Sequence, residues 1–444
     1  MNNPFTLTFT LRQHTPYIHF QHDQEGATIR GTEVKPKLDK FLINKLTKSG
    51  QIIKPEWKGK WDKEVQSLNY RIRIETEEAD LDTEVTRPIE NNYLDKKKNN
   101  RSEKFPTFFG LMKDEKEKNK RPGDQFQFVY HFYLYVTFTF TDLKLKELVE
   151  QHIGEFFMKH NFGNRQGKGF GSFYPHEDEP YEIEPLTYWF DVDVSESKLP
   201  PLRLDYTNKK SITIPYRQYF RLFEVIGLFY STLRSGINQS WGNAPIYFKS
   251  MMFLYAKSKG WQWDKRTIKQ KLFSSILDSH KIKHPGSDIL DYTSPNAYLM
   301  RDLLGLASNS EWFAEYKDRI TVSGKAKTKD EDVARFKSPI WFKPIDVGDG
   351  KFRVYFDADQ DAVNMMLDRE FNIKNKSGKS FDLKTPPMGK FDMHEFLRFA
   401  FSVDLEKHVL MKSRGFSADK DLLKSIYEQI RKNAGIERRK ATNE

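Results

Sequence analysis

Four glycines fall within nine residues, Gly163, Gly167, Gly169 and Gly171, interleaved with Arg165, Gln166, Lys168 and Phe170. Dense glycine permits positive φ and lets backbone N–H groups come close to an anion, while the two cations supply counter-charge. Phosphate cradling is the chemistry this composition suits. The loop is neither a dinucleotide fingerprint nor a Walker loop, because it follows a helical pattern and no Gly-Lys-Ser/Thr sequence opens a helix behind it. A tight reversal that needs glycine only for its backbone is the plain alternative.

A second cluster, His14, His19, His22 and Asp23, stands just after the first apolar segment. Groups titrating near neutrality could act as general base and acid in RNA transesterification, where the attacking 2′-hydroxyl and the leaving oxygen both exchange protons. The same residues read more simply as packing and turn composition, since His14 and His19 flank Pro16 and Asp23 is followed by Gly26. The chain has no cysteine, which excludes disulfides, thiolate metal sites and cysteine nucleophiles. No His and carboxylate set has metal-ligand spacing, and no serine elbow occurs. Neither metal nor cofactor is therefore expected, and no catalytic residue is assigned, with His19, His22 and Asp23 as the alternative.

Positioning the loop needs a frame, and the flanking sequence supplies one. Phe5, Leu7, Phe9 and Leu11 alternate with threonines as a half-buried strand requires. Thr32 is the expected N-cap of a helix carrying Val34, Leu38, Phe41, Leu42 and Leu46 on one stripe, with Pro36 in its first turn and Lys35, Lys37, Lys40 and Lys45 elsewhere. Leu68–Glu75 and Phe126–Phe140 read as the second and third strands, Asp142 caps a helix running through Phe157, and Tyr181–Val194 reads as the fourth strand. The order strand, helix, strand, strand, helix, strand predicts an α+β fold with a ferredoxin-like (RRM-like) module over residues 1–198. An insertion at about 77–125 interrupts it, and the part from Glu90 to Gly123 is charged and lacks apolar periodicity.

After a polar linker beginning near Ser197, Tyr219 to Leu233 marks a helix that ends at Gly236. Met251, Met252, Trp261 and Trp263 read as core. Asp349 and Gly350 sit between two apolar runs as a hairpin turn demands, and helical patterns follow near Met393–Leu410 and Asp419–Lys432. Residues 199–444 are expected to form a second ferredoxin-like module elaborated by a helical insertion. Lys plus Arg number 73 against 62 Asp plus Glu, a net charge of +11, and the excess is local. Ile29–Arg73 holds twelve basic and five acidic residues, whereas Glu177–Asp205 holds nine acidic and two basic. A polyanionic partner fits the basic stretch. No run approaches the length of a membrane span and no signal peptide is read at the amino terminus, so a cytoplasmic protein is expected.

The segment "GNRQGKGFGSF" from Gly163, placed behind the second helix, resembles the glycine-rich loop of the repeat-associated mysterious proteins, the RAMP superfamily of CRISPR effector subunits. "GATIRGTEVKPKLDKFL", from Gly26 to Leu42, is similar to the segment leading into that superfamily's Lys-rich first helix. "RFKSPIWFKPI", from Arg335 to Ile345, resembles a strand segment of two-module members, particularly the subunit at the guide 3′ end of type III-B (Cmr) complexes. The resemblance implies a non-catalytic, RNA-binding subunit that works in antiviral defence beside other RAMP subunits. It implies that Arg30, Lys35 and Lys37, with Gly163, Arg165, Gln166, Gly167, Lys168, Gly169, Phe170 and Gly171, hold the backbone of guide RNA, with target RNA a further candidate partner. Two alternatives stay open. One is a guide-processing endoribonuclease of the same superfamily, although such enzymes place the glycine loop near the carboxy terminus and here some 270 residues follow it. The other is a protein scaffold without RNA contact.

Overall fold

Alternation of apolar residues with threonine makes β1 (Thr6–Gln13), which buries Leu7, Phe9 and Leu11 on one face. The computed structural model describes residues 3–18, 28–61, 66–75, 128–129, 133–195, 214–239, 246–273, 296–306, 320–325, 335–406, 408 and 418–439. After β1 come β2 (Tyr17–Ile18), α1 (Gly31–Lys48), β3 (Lys58–Trp61), β4 (Gln66–Leu68), β5 (Tyr70–Glu75), β6 (Phe128–Val129), β7 (Tyr133–Phe140), α2 (Leu143–Lys159) and β8 (Phe173–Pro175). Four of these strands form one antiparallel sheet in the order β5, β7, β1, β8. Its register pairs Thr6 with Thr139 and Arg12 with Tyr133 on one side, and Tyr70 with Phe140 on the other.

That register places Phe9, Phe138 and Phe140 on one face of the sheet, and α1 and α2 cover it. The ring of Phe9 stacks on Phe138 and meets Phe157 of α2 edge-on. Val34, Leu38, Leu42 and Leu46 from α1 and Leu145, Val149 and Ile153 from α2 complete the core, each at most 3% exposed. Burying one such side chain contributes roughly 1.5–3 kcal/mol, so this shared core fixes where both helices point. Asp142 caps α2 as expected, accepting from the Leu145 N–H at 2.9 Å.

Three expectations need correction. The fourth strand of this sheet is Phe173–Pro175, which pairs directly with β1 as the chain leaves the glycine loop. Tyr181–Val194 is strand only as β9 (Tyr188–Asp193), because Pro180 and Pro185 interrupt the earlier part. The N-cap of α1 is Arg30, whose carbonyl accepts from Glu33 and Val34, so Thr32 lies inside the helix and Pro36 beyond the first turn. The expected third strand begins at Tyr133, while the short β6 pairs with β2 instead. The insertion at about 77–125 lies outside the described residues, as does the linker from Ser197.

The rest of the chain adds α3 (Ile214–Arg234), β10 (Ile237–Gln239), β11 (Ile246–Phe248), α4 (Met251–Ser258), α5 (Asp264–Leu272), β12 (Thr321–Gly324), β13 (Ile340–Gly348), β14 (Lys351–Ala358), α6 (Gln360–Asn364), β15 (Glu370–Lys374), β16 (Ser380–Lys384), α7 (Met393–Ser402) and α8 (Ala418–Asn433). Three small sheets have the orders β10–β11, β12–β15–β16 and β13–β14–β9. The hairpin turn between β13 and β14 has positive φ at both Asp349 and Gly350, as a two-residue hairpin of this hand requires. The architecture is mixed α+β throughout.

The chain divides into two compact units, Met1–Leu186 with Asp191–Glu224 and Phe342–Tyr355, and Thr187–Phe190 with Val225–Trp341 and Phe356–Glu444. In the second, Phe229 packs against Phe356, Phe401 and Tyr427, and Met251, Met252, Trp261 and Trp263 are buried, as core residues should be. Asp264 is fully buried there and accepts from the N–H groups of Met300 and Arg301, which ties α5 to the turn at Arg301–Leu304.

Candidate nucleic-acid interface

The glycine loop runs from the end of α2 to β8, and its backbone is zipped to the segment after β1. His14 N–H donates to Ser172 O at 2.8 Å, Gly171 N–H to Pro16 O at 2.9 Å and Asn164 N–H to Ile18 O at 2.8 Å. Thr15 serves both ends of the same turn, since its hydroxyl donates to Gly169 O at 2.7 Å and accepts from Ser172 N–H at 2.9 Å. These bonds draw loop and strand so close that two glycines are obligatory. A Cβ at Gly163 would come within 2.5 Å of Ile18 O, and one at Gly171 would collide with Phe162 O; both residues have positive φ.

Helix α1 supplies the other wall. Glu33 and Lys37, one turn apart, face the loop together. Glu33 accepts the Gly163 N–H on one oxygen and the Tyr17 hydroxyl on the other, each at 2.7 Å. Lys37 donates to Asn161 O at 3.0 Å and to Gln166 Oε1 at 2.7 Å, with its amine 4.5 Å from the centre of the Phe162 ring. Burial, and after it the charge of Glu33, drives the Tyr17 hydroxyl far above its ordinary titration range, so it stays a neutral donor. Arg30, exposed at the N-cap of α1, also acts on Tyr17 by its charge.

A buried amine closes the base of the loop. Lys343 on β13, 0% exposed, donates to His160 O at 3.0 Å and to Phe173 O at 2.7 Å, the carbonyls that bracket the turn. Burial, and then the positive charge of Lys37, pushes its pKa well below the usual lysine value. Asn161 adds a second tie, donating to Gln166 O at 2.7 Å and Phe342 O at 2.6 Å. His160 stacks on Phe156, and burial pushes its pKa down to about 4.

Arg165, Gln166, Gly167 and Lys168 form the crest and stay partly accessible, although the Lys168 amine itself is buried, whereas Gly169, Phe170 and Gly171 are wholly buried. Arg165 is left-handed with φ 56°, and Gln166–Lys168 make one tight helical turn closed by Lys168 N–H and Gly169 N–H. The amides of Gln166 and Gly167, first in that turn, have no hydrogen-bond acceptor among the described residues. Phe170 stacks its ring on Phe223 with centroids 3.7 Å apart and 9° between planes, so the side chain anchors the loop from beneath.

The structure thus brings Arg30 and Lys37 to the loop but sends Lys35 elsewhere. Two residues from Lys37, it lies on another face of α1, where its amine meets Asp39 at 2.9 Å, Leu68 O at 2.8 Å and the Tyr70 ring. His19, His22 and Asp23 lie outside the described residues. His14 is buried, accepts the Asp346 N–H on Nδ1 at 3.1 Å, and has its pKa lowered well below the usual value by burial and then by Arg12. Tyr17, Glu33, Asn161 and Lys343 were not singled out by sequence reasoning. The pair Glu33/Lys37 was visible as helical spacing, and Lys343 as the lysine of "FKPI"; the other two carry no local signal.

Among the described residues, no group of three His, Cys, Asp or Glu could hold a metal ion, and no helix is long and apolar enough to cross a membrane. No individually curated protein matches the chain in sequence. Two family models do match it: the Cmr1 N-terminal domain over residues 4–237 and the Cmr1 C-terminal domain over residues 247–431.

Proposed function

The chain belongs to the Cmr1 family, RAMP subunits of the type III-B CRISPR complexes called Cmr, and on that footing we propose that it is a non-catalytic subunit gripping the backbone of guide RNA near its 3′ portion. The contact surface is the loop crest, with Arg165 on phosphates, the amides of Gln166 and Gly167 directed at the same oxygens, and the buried Lys168 amine adding positive charge from beneath, backed by Lys37 and Arg30. Gly163, Gly169, Phe170 and Gly171 set the shape of the turn, and Lys35, paired with Asp39 on another face of α1, takes no part in it. Contacts of this kind position a nucleic acid without reading its sequence. Target RNA, once paired to the guide, is the further partner, and other RAMP subunits assemble around both in the cytoplasm.

The observation that carries this reading is the bond from Lys37 to Gln166. It holds a cation of the first helix against the part of the loop where the amides of Gln166 and Gly167 have no acceptor among the described residues. The strand order β5, β7, β1, β8 with two helices on one face supports a ferredoxin-like first module over 1–198, and a second such module is proposed for 199–444. The endoribonuclease alternative rests on His19, His22 and Asp23, which lie outside the described residues, and the burial of His14 leaves it to the cleavage assay.

The test is electrophoretic binding of labelled guide RNA by the full chain, beside Arg165→Ala/Lys168→Ala. The wild type should shift the RNA intact, in the presence of a metal chelator as well, and the variant should bind it at least about tenfold more weakly. Cleavage of the RNA by the wild type would return the endoribonuclease reading, and absence of any shift would favour the scaffold.

A further inference from the structure

Lys54, Trp57, Lys58, Lys60 and Trp61 interleave cations with indoles over eight residues, in a part of the chain that the glycine loop does not use. Trp57 is the anchor of this stretch. It is buried, its indole N–H donates to Asp142 Oδ1 at 2.9 Å, and its carbonyl accepts the Asn69 N–H at 2.8 Å. Asn69 is held in turn by Thr141, so the hairpin β3–β4 is fixed where Tyr70 pairs with Phe140. The hairpin is tightly closed, since a Cβ on Gly59 would approach Ser67 Oγ to 2.9 Å.

Beyond the anchor, Lys58, Gly59 and Lys60 are exposed and Trp61 is half-buried. Lys58 and Lys60 are both exposed, on a strand whose pairing shifts register by a bulge between Lys58 and Trp61. The Lys58 amine lies 5.0 Å from the centre of the Trp61 ring, and Lys54 lies equally far from that of Trp57. Glu56 is the single carboxylate among the described residues of this stretch. A partly solvent-facing indole flanked by cations suits single-stranded nucleic acid, in which a base stacks on the ring and phosphates take the charge.

We propose that the β3–β4 hairpin is a second contact for single-stranded RNA, with Trp61 stacking a base and Lys54, Lys58 and Lys60 on the flanking phosphates. This rests on the reading that the chain holds RNA. The hairpin and the glycine loop mark opposite ends of one sheet, roughly 23 Å apart along β7, so one extended strand can touch both.

The experiment measures the affinity of the full chain for a labelled oligouridylate across a salt series. Lys58→Ala/Lys60→Ala should lower the salt slope by about 1.4. Trp61→Ala should weaken binding about fivefold or more. Lys58→Arg/Lys60→Arg, which keeps both charges, should bind as the wild type does, and all four proteins should melt alike. If the hairpin variants match the wild type while Arg165→Ala/Lys168→Ala weakens, the hairpin assignment is wrong and the loop reading stands. If the wild type does not bind the oligomer, both fall. If the hairpin variants keep RNA affinity but no longer assemble with the other Cmr subunits, the hairpin meets an acidic protein surface and the proposal is overturned.

Discussion

Glu33 and Gly163, separated by 130 residues in sequence, are joined by a 2.7 Å hydrogen bond from the glycine N–H to the carboxylate. The bond fixes the first residue of the loop to the helix that carries Lys37. A buried amide given a charged acceptor is strongly held, and removing the acceptor leaves it unsatisfied. Glu33→Ala should therefore cost about 2 kcal/mol, with Glu33→Gln milder because its amide oxygen can still accept. Chemical denaturation reads this directly, and wild-type stability in Glu33→Ala would show that the loop is seated by something else.

Backbone crowding makes a sharper forecast. Gly171 and Gly50 both have positive φ, yet a Cβ at Gly50 meets nothing within 4 Å, whereas one at Gly171 runs into the Phe162 carbonyl. Gly50→Ala should cost about 1 kcal/mol, the penalty of the left-handed backbone alone, and Gly171→Ala about 3 kcal/mol or more. Equal urea midpoints for the two variants would refute the crowding.

Acid should loosen the loop through His160. Its folded pKa of about 4 lies below the ordinary 6.5, so the folded form keeps the ring neutral while the unfolded chain takes up a proton. Stability from this group is complete above about pH 6.5 and falls as pH drops towards 4, by up to about 1.4 kcal/mol per pH unit. His408 is displaced in the same direction in the other unit. Between about pH 7.5 and about pH 5 the wild type should lose more stability than His160→Gln; an identical loss in both would remove His160 from the account.

Phe170 separates anchoring from binding. Its stack on Phe223 predicts that Phe170→Ala destabilises the protein by about 3–5 kcal/mol, as loss of a buried ring does. Phe170→Leu should recover much of that stability and bind RNA with an unchanged salt slope, since no charge is altered. A lower slope in the leucine variant would mean that the ring itself positions the cations.

The frame was legible because period dictates face. Phe9 and Leu11 could only be buried together, and the stripe of α1 could only point Leu38 and Leu42 at the sheet. The fourth strand was not legible, because three residues ending in Pro175 carry too little pattern to outweigh the longer run at Tyr188. The start of α1 was misplaced because Thr32 looks like a cap, whereas backbone bonds to Arg30 O begin the helix earlier. In the site, the loop announced itself by glycine, but its partners did not. Lys343 reaches it from 170 residues away, and only the fold separates Lys37, which faces the loop, from Lys35, which does not.

The central claim is that cations on the loop crest bind RNA phosphates, and the salt dependence of guide RNA affinity tests it most directly. Each phosphate neutralised on a single strand adds about 0.7 to the slope of log affinity against log salt. The wild type should show a steep slope, and Arg165→Ala/Lys168→Ala should reduce it by about one to two units. A wild-type affinity indifferent to salt, or a slope that the double variant leaves unchanged, would contradict the account.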